Sequence, residues 1–321
     1  MISRRTLGLS LLATFGIGTP RAASDDFASW LGGVRREALA KGISRSTLDR
    51  ALDGVTYIPR VIELDRRQPE TTLTFDEYID RVVTPDRKAD ARAEMETNRA
   101  LLAAVGKRYG VAPRFIVALW GIETNFGQVI GKFPVIPALA TLAYDGRRSS
   151  FFRAQLLDAL LIVDRDHIDP RRMVGSWAGA MGQSQFMPSS FLTYAVSYRG
   201  TAAPDIWQRC DDVFASIANY LSRVGWRSGE GWGDRVAVPP GVAATIDPDA
   251  RPLHEWSALG IRRVDGRPFA ARAREASLVL PAGPSGPGFL VYDNFRALLK
   301  WNNSRYFAIA VGFLADGLMR S

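Results

Sequence analysis

The chain has 321 residues, 47% of them hydrophobic and 23% charged, with 41 Lys and Arg against 33 Asp and Glu for a net charge of +8. This composition marks a globular protein of one large domain or two. Two histidines and a single cysteine, Cys210, supply no ligand set for the usual zinc sites and exclude an internal disulfide, so Cys210 reads as a small buried hydrophobe.

Residues 1–24 read as an export signal. Arg4 and Arg5 precede an apolar run at residues 7–17, and Ala22, Ala23 and Ser24 offer a cleavage site before Asp25. The run is too short to stay in a bilayer as a spanning helix, and no cysteine stands near the cleavage point to carry lipid, so no stable membrane anchor is expected. Residues 3–7 fit a twin-arginine pattern loosely, with Leu7 where Phe is common, which leaves both export routes open. Loss of Arg4, Arg5 and Arg21 with the leader brings the charge to +5, a balance that suits an anionic polymer without identifying one.

Helical spacing dominates residues 25–234. Phe27, Trp30, Leu31 and Val34 form a first apolar stripe, and a second helix starts at Ser44 and is broken at residues 66–69. Phe75, Tyr78, Ile79 and Val82 make a third stripe that Pro85 ends. Ala91, Met95, Leu102, Val105 and Tyr109 share one face of a longer helix, closed by Gly110. Pro113 then opens a helix with Phe115, Ile116, Leu119 and Trp120 on its apolar face. Glu123 falls four after Leu119 and three after Trp120, so it extends that stripe. Residues 124–127 read as a helix stop, which puts Glu123 in the last turn. Apolar neighbours and the negative end of the helix dipole both push a carboxyl there toward its protonated form, the state a general acid requires. The same local pattern also fits a glutamate that is solvated or paired at a helix end.

Residues 128–150, with Gly131, Pro134, Pro137 and Gly146, read as ordered loop plus a short helix, and Phe152, Leu156, Ala159, Leu160 and Val163 restore helical periodicity. Residues 175–188 combine close-approach glycines with the neutral polar Ser176, Gln183, Ser184 and Gln185 amid Met and Phe. That mixture suits an uncharged polar ligand or a tight helix contact. Val213, Phe214, Ile217, Tyr220 and Leu221 mark another helix. Residues 235–290 change character, with short strand-like runs at 236–238, 278–280 and 289–291, and read as a small β-containing insertion. Residues 291–321 return to helix, with Phe307, Ala310, Val311 and Leu314 on one face of the last. The expected fold is therefore mainly α, of the α+β kind.

Asp164, Asp166 and Asp169 cluster, but Gly175 stands where a calcium loop needs its bidentate Glu. Phosphate loop, dinucleotide fingerprint and serine elbow are all missing, so no cofactor, metal or nucleic-acid partner is expected. Acid–base chemistry by carboxylate remains.

Three separated motifs occur in the order of one known family. They are Gly-Ile-Glu-Thr-Asn-Phe-Gly around Glu123, the stretch at residues 176–190, and the ending at residues 299–304 and 310–316. Together they resemble the lytic murein transglycosylase B family over nearly the whole chain from about Phe27. The resemblance implies a lysozyme-like helical catalytic core acting in the periplasm on peptidoglycan glycan strands, between N-acetylmuramic acid and N-acetylglucosamine. It implies that one glutamate, here Glu123, protonates the glycosidic oxygen and then takes a proton from the C6 hydroxyl, closing a 1,6-anhydro ring. It places sugar-binding positions at Ser176, Gln185 and Asn302, with Phe186 as a ring-contacting wall. Trp301 and Phe307 stand where the family often has Tyr. Trp301 can still stack on a sugar, whereas Phe307 has lost the hydroxyl and lies on a core stripe. A muramidase needing a second carboxylate, with Asp145 and Asp205 nearest in the chain, and a non-catalytic glycan-binding scaffold stay open as alternatives. The expected partners are the glycan strands themselves and cell-wall synthesis or remodelling enzymes.

Overall fold

The computed structural model describes residues 20–66, 73–145, 148–166, 168–200, 203–245, 249–269 and 275–319. The export signal read at residues 1–24 falls almost wholly outside them. The chain begins with α1 (Pro20–Ala40), α2 (Arg45–Leu52) and α3 (Pro59–Arg66). Ser44 caps α2 by accepting the Thr47 N–H. The single helix expected after Ser44 is two, because the chain turns at Gly54, with φ of 75°, and restarts at Pro59.

Next come α4 (Phe75–Val82), α5 (Pro85–Thr97) and α6 (Arg99–Tyr109). Thr74 and Glu77 close a reciprocal capping box at the start of α4. The expected long helix through Tyr109 is broken at Asn98, whose side-chain amide turns back to Glu94 O at 3.1 Å. Gly110 ends α6 in the left-handed region.

The centre of the molecule is α7 (Pro113–Thr124), in which residues 115–121 are buried without interruption. It packs against α5, α6, the later α11 (Cys210–Arg223) and the last helix, α15 (Arg305–Asp316). A helix apolar all round belongs in the middle of a helical core. Each fully buried Leu, Ile or Phe there contributes about 1.5–3 kcal/mol of transfer free energy.

A two-residue strand, β1 (Phe133–Pro134), leads into α8 (Val135–Asp145), which packs on α9 (Ser149–Asp166). The segment expected as loop with a short helix thus holds three buried turns, since Pro137 falls in the first turn, where no backbone donor is needed. β2 (Val174–Gly175) pairs antiparallel with β1, and α10 (Pro188–Tyr194) follows.

The β-containing insertion is a five-stranded antiparallel sheet. In chain order its strands are β3 (Gly233–Ala237), β4 (Arg251–Pro252), β5 (Arg262–Arg263), β6 (Glu275–Val279) and β7 (Gly288–Val291), with spatial order β4-β6-β7-β3-β5, and two short helices, α12 (Pro240–Thr245) and α13 (Leu253–Ala258), fall between its first strands. Alternation along β7 serves two cores. Phe289 and Val291 join the helical core, whereas Leu290 packs with Val236, Trp256 and Leu278 in a small core of the sheet's own. Trp232 clasps the sheet to α15, its indole donating to Asp316 Oδ2 at 2.9 Å. α14 (Asp293–Trp301) then returns the chain to the helical body ahead of α15.

Candidate active site

Glu123 stands in the last turn of α7, half-buried at the edge of the core. Its helix ends through consecutive left-handed residues, Asn125 with φ of 49° and Phe126 with φ of 59°. That reversal folds the Phe126 ring back over Gly121, where an added Cβ would come within 2.5 Å of Phe126 Cε1. The chain then passes Gly127, where a Cβ would meet Gln183 Oε1 at 2.4 Å. Both glycines of the Glu123 motif are thus explained by close approach.

Residues 174–187 form the facing wall. Ser176 closes a tight turn, its Oγ accepting the Ala180 N–H at 3.1 Å. Met181 and Phe186 pair across the next turn. Gln183, 8% exposed, ties wall to helix: its Oε1 accepts the Trp120 indole N–H at 2.8 Å and its Nε2 donates to Trp207 O at 2.8 Å. The Thr124 hydroxyl donates to Gln183 O at 2.9 Å, one residue from the acid. Gln185 adopts φ of 49°, and its Nε2 donates to Ile130 O at 3.1 Å and Gly182 O at 2.8 Å. With both amide hydrogens engaged, it offers a ligand its carbonyl oxygen, an acceptor.

The third side comes from the end of α14. The Trp301 indole N–H donates to Glu123 Oε1 at 2.6 Å across 178 residues of sequence. Behind the indole lie Tyr220, at a ring-centroid distance of 4.7 Å, and Phe186 at 5.2 Å. Burial pushes the Tyr220 phenol up to about 12, aided by Tyr194, and its hydroxyl donates to Lys300 O. Asn302 caps α14, its N–H donating to Leu298 O at 3.0 Å.

A cavity of about 570 Å³ joins these parts, lined by Glu123, Arg148, Phe151, Phe152, Trp177, Ala178, Ala180, Gln185, Met187, Trp301 and Asn302. Of the sequence candidates, Glu123, Gln185, Trp301 and Asn302 share its wall. Ser176 sits in the adjoining turn. Phe186, 3% exposed, and Phe307, 5% exposed, are packed in the core and are not among the lining residues.

Glu123 is the one carboxylate on this wall among the described residues. Asp145 instead faces Tyr57 and Arg66, and Asp205 lines a different cavity, where it accepts from Trp207 N and Gln208 N at 3.0 Å each. The cluster at residues 164–169 also diverges: Asp164 accepts from Ser44, Asp166 pairs with Arg165, and Asp169 pairs with Arg171.

Sequence reasoning missed Arg148, Phe151, Phe152 and Trp177. Arg148, with φ of 85°, ion-pairs with buried Asp65 at 3.1 Å and lies over the Phe152 ring at 4.9 Å. Phe151 is 46% exposed. An exposed Phe one step off the core stripe of α9 was the available signal, because the stripe itself was satisfied by Phe152.

A family model described as the transglycosylase SLT domain matches residues 26–316. Membrane-bound lytic murein transglycosylase B of Escherichia coli (strain K12) is 30% identical over 289 residues, covering 86% of this chain and 79% of that protein. SltB3 from Pseudomonas aeruginosa, in complex with NAG-anhNAM-pentapeptide, superposes with a TM-score of 0.86 at 43% identity, covering 91% of this chain and 79% of the other. SltB1 from the same organism, a soluble lytic transglycosylase, superposes with a TM-score of 0.77 at 29% identity, covering 91% and 98%. With a family model matched over nearly its whole length and its helical core and sheet insertion superposing on these enzymes, the chain belongs to the transglycosylase SLT domain family, the lytic transglycosylases of peptidoglycan.

Proposed function

We propose that this protein cleaves the β-1,4 bond between N-acetylmuramic acid and N-acetylglucosamine in peptidoglycan, releasing 1,6-anhydromuramic acid ends, with Glu123 as general acid and then general base. The observation that carries this reading is that, among the described residues, Glu123 is the single carboxylate on a wall otherwise made of neutral polar, apolar and cationic groups. An inverting hydrolase needs a second carboxylate roughly 6.5–9.5 Å from the first to activate water. With one carboxyl, the group that gave up its proton to the leaving oxygen is the base at hand for the C6 hydroxyl, and ring closure takes the place of attack by water.

In this reading Gln185 and Asn302 take sugar hydroxyl and amide groups, and Trp301 and Trp177 supply faces for sugar rings. Ser176, whose oxygen already accepts from Ala180, has its hydroxyl hydrogen to donate at the cleft edge. Phe186 and Phe307 act from behind as support. Residues 1–24 serve as the export leader and the periplasm is the place of action. The relatives are cell-envelope enzymes, and no helix among the described residues is long and apolar enough to cross a membrane.

The test is a mass spectrum of the soluble fragments released from purified peptidoglycan, with Glu123→Gln alongside. Fragments ending in 1,6-anhydromuramic acid, one water lighter than reducing ends, are expected from the wild type. The variant should fold normally and release them about 10³-fold or more slowly. Reducing ends would identify a hydrolase, and glycan binding without release would identify a scaffold.

A further inference from the structure

We propose that Trp301 is the positioning residue of the acid: its indole N–H holds Glu123 Oε1 as an acceptor, fixing the plane of the carboxyl and biasing it toward the ionised form. The inference rests on the reading of Glu123 as the acid, but its spectroscopic test does not depend on turnover. At 2.6 Å the bond lies at the short end for an N–H donor, the side on which bonds to a carboxylate fall. Indole nitrogen donates and never accepts, so the oxygen facing it is an acceptor in both protonation states of Glu123. A phenol in its place could reverse its role and accept from the protonated acid. Trp301 is a one-way donor.

The donor itself is held in place. Tyr220 and Phe186 back the indole on two sides, the Tyr220 hydroxyl donates to the carbonyl of neighbouring Lys300, and Asn302 N closes the helix just beyond. Three elements, α11, the 174–187 wall and α14, thus converge on one N–H. Among the described residues, the other charged or titratable side chains around the cleft are Arg148, ion-paired with Asp65, and the buried Tyr220 phenol. Neither is a substitute donor on the α14 side.

The consequence falls on the second half of the reaction. After Glu123 has protonated the leaving oxygen it is a carboxylate, and the Trp301 N–H then makes its stronger, charge-assisted bond. Holding the carboxylate in one plane aims it at the C6 hydroxyl whose proton it must take. Without the N–H, the anion is less favoured and the group keeps its proton to higher pH.

Two experiments decide. In Trp301→Phe, which keeps an aromatic face and removes the donor, kcat on glycan strands should fall about tenfold, the worth of one hydrogen bond to a charged group. KM should change less, and the alkaline limb of the kcat–pH profile should move upward. Trp301→Tyr, which restores a donor, should bring the limb and most of kcat back. A variant that raises KM alone, with the pH profile unmoved, would make Trp301 a stacking platform and overturn the proposal. Independently, the chain's eight tryptophans give indole N–H resonances in the folded protein. The Trp301 signal, identified by its loss in Trp301→Tyr, should shift in a single step with pH, and the step should vanish in Glu123→Gln. A Trp301 resonance that shows no such step sinks the idea whether or not Trp301→Phe folds.

Discussion

Gln183 shows how a residue that never meets the cleft can govern it. Its side chain accepts from the Trp120 indole and donates to Trp207 O, while its main-chain carbonyl receives the Thr124 hydroxyl. The helix bearing Glu123 and the opposing wall are therefore tied together through one buried amide. Gln183→Leu keeps the volume and removes both side-chain partners, leaving a buried indole N–H and a backbone carbonyl unsatisfied at a cost of about 3 kcal/mol. Thermal unfolding should show a midpoint lower by roughly 5–10 °C. Turnover should fall by more than the unfolded fraction explains, because the spacing between Glu123 and Gln185 is no longer fixed. The sequence drew notice to Gln183 as one of several neutral polar residues. Its partners were hidden, since Trp120 reads as an ordinary core position and Trp207 lies outside any periodic stripe.

At the scale of elements, the cleft wall depends on backbones in contact. Gly175 ends β2, and a Cβ there would stand 1.9 Å from Ala180 O and 3.2 Å from Met181 Cα. Backbone cannot yield as a flexible side chain would, so Gly175→Ala should push the 176–180 turn outward, costing about 1–3 kcal/mol or more. Activity should suffer more than stability, a split visible by comparing kcat/KM with the urea midpoint of the same variant.

Much at this scale was readable. The stripe ending at Glu123, its stop at residues 124–127 and the strand-like runs of the insertion follow from period and turn chemistry, which are local. The break at Asn98 was not, because a side-chain amide returning to Glu94 leaves the apolar period across it intact. Nor was the aromatic wall at Phe151 and Trp177, which exists only once α9 and the 174–187 segment are packed side by side. The sheet order β4-β6-β7-β3-β5 is also a long-range outcome, since a sequence of short strands leaves pairing open.

Across the whole molecule, the sheet is clasped to the helical body at Trp232. Its ring packs on Gly312, near Phe289, Phe295 and Phe313, while its N–H meets Asp316. Burial pushes the Asp316 carboxyl up, against the opposing pull of the Trp232 bond and of Arg114. A carboxyl whose folded pKa lies above its unfolded value binds its proton more tightly in the native state. Its contribution to stability is therefore full below the unfolded value and lost as pH rises through the folded one. Asp316→Asn keeps an acceptor for Trp232 and removes the titration, so its stability relative to the wild type should improve as pH rises through that window. Denaturant midpoints at several pH values would show it, and a pH-independent difference would rule the titration out.

The bond between Trp301 and Glu123 also carries a consequence for the order of events in the life of the chain. Glu123 belongs to a helix made before the sheet insertion, but the N–H that orients its carboxyl and the helix that packs beside α7 are made after it. A nascent chain whose first seven helices have formed still lacks the indole donor that α14 brings to the acid. The cleft closes only when the chain has come back from the sheet to α14 and α15, and a cell-wall-cutting machine assembled in that order is blunt until it does.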